Sequence, residues 1–420
     1  MSLQVIFQIV LLFFVLVTIH EWGHYYFAKR AGILVREFAI GFGPKLFSFK
    51  RGETRYTLRL LPVGGFVRMA GEDPEIVHIQ PGQTIALRLS DDQVTHIYLD
   101  QLDQRSDVVI GTVEKIDLEH ELKVRLEAGG EAETFSIHPQ AMMVTKGKET
   151  QIAPWNRQFG SKTVGQRALS IFAGPFMNFI LAFVLFVTVM FLAGVPTNVK
   201  IEKVEPNSPA SQAGIQAGDI IKTVNGTEIQ TSTSKLTDLI GGSQDKKMDW
   251  TVIRGGKETP IQVTPAKNAE GRIMVGIGLT SDKRGTGVGE ALSGGWENMK
   301  LATTQILLGF KMLVMGQFSM DDLGGPVRMV EVTSEHASAG LPQYTFWAAV
   351  LSLYLGIFNL LPIPALDGSR LVFLGFEAVR GRPVDPNRES LVHFIGFAAL
   401  MLLMIAVTYN DIIRLVRGES

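Results

Sequence analysis

The run Ile9-Val10-Leu11-Leu12-Phe13-Phe14-Val15-Leu16-Val17-Thr18-Ile19-His20-Glu21-Trp22-Gly23-His24 is apolar until it places two histidines and a glutamate at one end. On a helix, residues four apart share a face, so His20 and His24 project together and can share one metal ion. Glu21 stands beside them, where a carboxylate can deprotonate a water at that metal. Ionisable side chains in hydrocarbon each cost about 3 kcal/mol or more, so a cluster of them inside a span points to a functional site with a partner elsewhere in the chain.

With 46% hydrophobic residues in a chain of 420, the protein exceeds one ordinary domain and is too polar to lie wholly in a membrane. A formal net charge of -1, with no basic stripe, removes the electrostatic footprint of a nucleic-acid binder. The sequence contains no cysteine, so the strong metal ligands available are His, Asp and Glu.

Apolar runs at about residues 3–27, 169–193, 343–365 and 391–409 each approach the ~20 residues that a ~30 Å hydrocarbon core requires. The first lacks a basic leader and carries His20, Glu21 and His24, which marks it as a permanent helix instead of a signal peptide. Between residues 28 and 70 stand nine Lys or Arg against two acids, so this segment is expected in the cytoplasm. Four spans then put both termini outside. The resulting layout is span one over 1–28, a membrane-associated β-loop over 29–70, a polar insert over 71–163 and span two over 164–195. There follow an α+β unit over 196–282, an amphipathic interfacial segment over 283–340, span three over 341–370, a cytoplasmic loop over 371–390 and span four with a tail over 391–420.

Span three ends in Asn359-Leu360-Leu361-Pro362-Ile363-Pro364-Ala365-Leu366-Asp367-Gly368-Ser369. It runs from outside to inside, so Asp367 reaches the depth of His20 and His24. Two histidines and one carboxylate leave an open tetrahedral position, as in catalytic rather than structural zinc sites. Pro362 and Pro364 break the helix, which is tolerated in a membrane only where the backbone is buried in protein or lines a cavity. An Asp-Gly helix-terminating turn is the bland alternative for Asp367 taken alone.

His20-Glu21-x-x-His24 on a first span with Leu366-Asp367-Gly368 on a later one resembles the site-2 protease family (M50) of intramembrane zinc metalloproteases. The resemblance also covers Gly41-Phe42-Gly43-Pro44, Leu61 to Val67, Gly174-Pro175-Phe176-Met177-Asn178 and Asn359 to Asp367, and leans toward Gram-positive bacterial members. Two departures stand out. Ser369 replaces a second glycine found after Asp-Gly in many members, and one extramembrane repeat unit stands where some Gram-negative relatives have two.

That family implies a multi-pass α-helical membrane protein of the bacterial cell (inner) membrane, of about four transmembrane helices, with a membrane-associated β-loop and an extracytoplasmic PDZ (α+β) domain. It implies one Zn2+ per chain, held by His20, His24 and Asp367, with Glu21 catalytic. The partners implied are membrane lipid and single-span substrates such as anti-sigma factors and signal-peptide remnants, cut after their outer domains are trimmed; no nucleic acid is expected.

The residues support a β element at 36–70: Arg55 to Leu60 alternates polar and apolar, with Arg51-Gly52-Glu53 as a turn before it. A helical substrate hides its carbonyls in i to i−4 bonds, so hydrolysis requires unwinding to an extended strand, which a sheet edge can hold. Gly41, Gly43, Gly64 and Gly65 permit close backbone approach there, although glycine most often marks turns. Asn178, Asn359, Pro362 and Pro364 complete the expected substrate-binding set; helix-to-helix hydrogen bonding is the equal alternative for the two asparagines.

The insert over 71–155 carries sixteen acids and seven bases and reads as a β-rich subdomain, with His78, His96, His120 and His138 on a solvated surface. The run Ser208 to Ile221 is similar to PDZ modules, and the family places this unit outside the membrane as a filter against bulky ectodomains. No basic residue stands at an evident carboxylate loop. Leu292, Trp296, Met299, Ile306, Leu307 and Met312 suit a helix lying in the outer interface, and packing against the spans produces the same pattern.

Two other classes remain open. In a non-catalytic PDZ scaffold the metal would clamp spans one and three, but a structural site normally has four protein ligands. A metal transporter would carry polar residues through several spans, and spans two and four are nearly free of charge.

Overall fold

The computed structural model describes residues 2–72, 79–268, 271–317 and 324–417. The expected surface residue His78 lies outside them. Among the described residues four helices are long and apolar enough to cross a membrane: α1 (Leu3–Arg30), α2 (Val164–Ala193), α7 (Leu341–Asn359) and most of α9 (Pro386–Arg417). The chain forms two compact units, Met1–Leu185 with Met299–Ser420, and Phe186–Asn298.

In the first unit, Leu12, Leu16, His20, His24 and Ala28 of α1 are all buried and follow one another at intervals of four. The histidines therefore stand in the same stripe that packs the helix. On one side of them Leu12 and Leu16 meet Ala348 and Leu351 of α7, with Leu181 and Leu185 of α2. On the other, Ala28 joins Val35, Val67, Phe159, Ile171 and Leu374.

After α1 the chain forms β1 (Val35–Arg51) and β2 (Thr54–Met69). Residues Glu37–Ile40 of β1 register with both Arg55–Leu58 and Gly65–Arg68 of β2, while Phe47–Lys50 register with Arg55–Leu58. The hairpin is thus folded over itself into a four-pass sheet, and the 65–68 pass lies at its margin. Phe42, Leu46, Phe47, Phe49, Leu60 and Leu61 are exposed on it.

The polar insert is a small barrel. Strands β3 (Thr84–Ser90), β4 (Gln93–Tyr98), β5 (Val109–Asp117), β6 (Lys123–Ala128), β7 (Glu131–Thr145) and β8 (Lys148–Gln151) run in the order β4-β3-β5-β6-β7-β8. Pairing of β4 with β7 closes the first five around Ile85, Leu87, Ile97, Val124, Leu126 and Ile137. Closure removes the exposed sheet edges that a free-standing acidic insert would otherwise present. Arg157 pairs with both carboxylate oxygens of Glu53, in the β1–β2 turn, and Gln151 donates to the same carboxylate at 2.9 Å, so the barrel is tied to the four-pass sheet.

The second unit holds β9 (Val195–Pro196), β10 (Lys200–Val204), α3 (Pro209–Gln212), β11 (Ile220–Val224), β12 (Thr227–Glu228), α4 (Thr233–Gly241), β13 (Met248–Arg254), β14 (Lys257–Val263), β15 (Ala266–Lys267), β16 (Ile273–Met274), β17 (Ile277–Thr280) and β18 (Lys283–Arg284). Its main sheet runs β14-β13-β11-β10-β17 around Trp250, Val224, Leu236 and Ile201. Asn225 and Gly226, with φ of 48° and 74°, make the tight turn their dipeptide predicts. Asp219 is buried and accepts two bonds from the Arg254 guanidinium and one from Gln216 N; these donors outweigh burial and hold its carboxyl below the usual range.

In the segment 283–340, expected to be interfacial, Leu292, Trp296 and Leu307 are exposed, and the two helices among the described residues are α5 (Val288–Val314) and α6 (Pro326–Ser338). The second packs on α1, α7 and α9, with Thr333 fully buried under the Trp347 indole, which donates to it at 2.9 Å. Span three ends at Asn359 rather than 370, because Pro362 and Pro364 remove helical donors and Asp367 begins a new helix, α8 (Asp367–Arg380). The expected loop 371–390 is accordingly helical as far as Arg380, where Gly381 ends it with φ of 68°. Span four likewise starts earlier than 391, at the N-terminal Pro386 of α9.

The Arg157 pair holds the Glu53 carboxyl down to about 2. A depressed carboxyl stabilises the fold above its unfolded value near 4.5 and loses that contribution as pH falls toward 2. Glu53→Gln should therefore lower the melting temperature at pH 7 by an amount equivalent to about 1 kcal/mol, small because the pair is partly solvated. The gap between the two proteins should narrow as scans move from pH 5 to pH 3; a gap independent of pH would dismiss the ion pair as its source.

Candidate active site

His20 and His24 sit in the buried stripe of α1, and Asp367 is the first residue of α8. His20 Nε2 lies 3.3 Å and His24 Nε2 3.4 Å from Asp367 Oδ2, and the two Nε2 atoms are 3.2 Å apart. The ligand atoms of all three lie within 4.8 Å of one another, and among the described residues no other cluster of this kind occurs.

Each ring is oriented from behind. His24 Nδ1 is 2.9 Å from the Ser170 carbonyl, which can only accept, so the proton is on Nδ1 and the Nε2 lone pair faces Asp367. His20 Nδ1 lies 3.5 Å from the buried Asn178 side-chain amide. With the amide nitrogen there, Asn178 Oδ1 is buried without a donor. A half-turn of the amide brings the oxygen to Nδ1, satisfies it, and frees the His20 Nε2 lone pair as well.

Asp367 Oδ2 is buried and receives no hydrogen bond among the described residues. Three acceptor atoms thus converge with no donor between them, an arrangement that a bound cation satisfies. The donor set, two imidazoles and a carboxylate without cysteine, suits zinc with one coordination position left over.

Glycines bring the backbones close enough for this. A Cβ on Gly23 of α1 would strike the Ala173 carbonyl of α2, and one on Gly174 would fall on the His24 ring. Pro175 lies inside α2 rather than at its start, so it can give no backbone N–H to the Ile171 carbonyl one turn back. Across the site, a Cβ on Gly65 would come within 2.8 Å of Glu21 Cγ and 2.7 Å of the Ala39 carbonyl, which seats the marginal pass of the four-pass sheet directly on the glutamate.

The other expected residues are placed less uniformly. Gly41, Gly43 and Gly64 have φ of 87°, 84° and 78° at the bends of the four-pass sheet. A Cβ on Gly64 would meet the Phe42 ring at 2.6 Å. Asn178 reaches His20, but Asn359 donates to Leu355 O of its own helix at 3.0 Å and is not brought to the cluster. Pro362 and Pro364 lie in the connection before Asp367, with Pro364 packed on Gly396 of α9.

Sequence reasoning missed three participants. Ser170 acts through its backbone, which leaves no sequence signal. Glu72 pairs with Arg370, one turn past Asp367 on α8, and only the fold makes them neighbours. His393, on α9, had a signal: it is a histidine inside a span, the same mark that singled out His20.

Comparison with known proteins identifies the family. The zinc metalloprotease RasP of Oceanobacillus iheyensis is 44% identical over 421 residues, covering 97% of this chain and 98% of that protein. The regulator of sigma-W protease RasP of Bacillus subtilis is 45% identical, covering 99% and 100%. A solved PDZ domain of the SdrC-like protein from Listeria monocytogenes is similar over 20% of this chain and 90% of its own, at 20% identity and a TM-score of 0.19. Residues 8–403 match Peptidase family M50. With two histidines, a carboxylate and a helical glutamate converging inside a bundle of apolar helices, the chain belongs to peptidase family M50, as an intramembrane zinc metalloprotease of the site-2 type.

Proposed function

We propose that one zinc ion is held by His20, His24 and Asp367, that Glu21 is the general base and acid, and that the substrate is a single transmembrane helix. The observation that carries this reading is the convergence of three donor-free ligand atoms beside Glu21, with an unpaired strand margin resting on that glutamate. When bound, zinc supplies Lewis acidity to the scissile carbonyl and to the attacking water. The chain does the rest. Glu21 takes the proton that the water loses, then delivers it to the amide nitrogen as the C–N bond breaks.

The substrate has to be extended before it is cut. The pass at Gly65–Arg68 pairs with β1 on one side, and among the described residues no strand covers its other side. A substrate strand added there would lie near Glu21, beside Gly41, Gly43, Gly64 and Gly65, whose missing side chains let the sheet close on Leu61, Phe42 and Glu21. Asn178 orients His20, while Pro362 and Pro364, in the connection that leads to Asp367, are further candidates for substrate contact; Asn359 would contribute only after turning from its own helix.

The nine bases in residues 28–70 support a topology with the four-pass sheet, the barrel and the metal site on the cytoplasmic side and both termini outside. The Phe186–Asn298 unit is then an extracytoplasmic PDZ-like domain that admits substrates already trimmed of their outer domains. By analogy with the sigma-W regulator, anti-sigma factors of one span are the first candidates, and signal-peptide remnants share the same architecture.

Cleavage of a single-span helix without a large outer domain tests the reading in detergent. Wild type should cut within the span, and Glu21→Gln should slow cleavage by about 10²–10⁴-fold while retaining zinc. Chelator should silence wild type. Persistent failure to cut a panel of such helices with zinc in place would favour a non-catalytic scaffold.

Gly174→Ala provides an independent check. Its methyl falls on the His24 ring, an overpacking worth about 1–3 kcal/mol, so zinc content and cleavage should fall together. Unchanged zinc content in a folded variant would contradict the close packing of α1 on α2.

A further inference from the structure

Asp367 owes its place to the non-helical connection between α7 and α8, and this connection is held in an unfavourable shape. Ala365 has φ of 76°, in the left-handed region where an L side chain is strained. Its backbone N–H donates to His393 Nδ1 on α9 at 3.1 Å. The Ser369 hydroxyl, which donates to Leu366 O at 2.8 Å, lies 3.5 Å from the same nitrogen. One turn along α9, Gly396 is pressed on Pro364 so closely that a Cβ would overlap the proline ring. The fourth span therefore touches the connection at two points on one helix face, one polar and one steric. Phe373 of α8 stands 5.7 Å from the imidazole, edge to face, and limits its rotation.

His393 does not belong to the metal cluster itself, whose ligand atoms come from His20, His24 and Asp367. Because Nδ1 accepts from an amide, the ring proton is on Nε2, which is buried and finds no acceptor among the described residues; Glu389 Oε1 is 3.7 Å away. A histidine is thus kept in the fourth span with half of its hydrogen-bonding capacity unused, which simple packing does not require.

We propose that His393 is a positioning residue for Asp367: by accepting the Ala365 N–H it holds that residue in its left-handed conformation, and so aims the carboxylate at the two imidazoles. This inference rests on the zinc reading above. Losing an outer-shell partner of this kind typically weakens metal binding by about 10–100-fold. The bond acts through Asp367 on metal and chemistry, with little bearing on substrate capture at the strand margin.

The test uses the full chain in detergent with three variants: His393→Leu, which removes the acceptor; His393→Asn, whose carboxamide oxygen falls near the Nδ1 position; and Ala365→Gly combined with His393→Leu. Zinc retention against a competing chelator, kcat and KM on a single-span helix, and melting of the zinc-stripped protein are read for each. His393→Leu should release zinc about tenfold more readily and lower kcat with KM little changed. Asn should restore most of both, and so should glycine at 365, which adopts the required φ without strain. Wild-type zinc retention and kcat in His393→Leu would overturn the proposal. So would equal losses in all three variants that track melting of the stripped protein, since that is merely structural. A wild type that binds no zinc overturns the metal reading itself, and this inference with it.

Discussion

Two imidazole nitrogens and a carboxylate oxygen, all acceptors, meet within an apolar bundle with no donor among them. Leaving such groups unpaired away from water costs several kcal/mol, on the order of the net stability of a whole domain, so the arrangement makes sense around a cation. Much of the surrounding structure serves to bring those atoms together. Gly23 and Gly174 let α1 approach α2, the Ser170 carbonyl and Asn178 fix the two rings, and the broken connection at Pro362 and Pro364 turns the start of α8 inward. Between apolar helices in lipid the hydrophobic effect gives little reason to associate, which leaves close packing of small residues and polar contacts to do so.

The chemistry demands an extended substrate in a place where backbone polar groups must stay paired. In the proposed mode, a strand added to the Gly65–Arg68 pass would meet both requirements by exchanging helical hydrogen bonds for sheet ones near Glu21. The exposed aromatic and aliphatic side chains of the same sheet, with lysines and arginines among them, suit a position at the membrane surface. The barrel that follows is acidic, with sixteen acids to seven bases over residues 71–155, and the Glu53–Arg157 pair ties it to the basic four-pass sheet.

The metal motif was legible because helical periodicity alone puts residues four apart on one face. The stripe Leu12, Leu16, His20, His24, Ala28 obeys that rule without interruption. Spans were legible from length and hydropathy, and the α+β unit from its turn dipeptides, since Asn225-Gly226 readily takes the positive φ angles that a tight turn needs. The reading failed after span three, where α8 continues and charge suggested a loop. The insert was readable as β-rich, but its closure depends on β4 meeting β7, a pairing distant in sequence.

The sequence by itself determined which atoms can bind metal and which segments can cross a membrane, because both follow from local spacing, composition and length. Tertiary structure alone decided which carboxylate oxygen faces which nitrogen, which carbonyl fixes the His24 tautomer, and how the fourth span reaches Ala365 through His393. Those are contacts between residues far apart in the chain, made through backbone atoms that every residue shares. No pattern of side chains encodes them, and only the packed helices bring them within hydrogen-bonding distance.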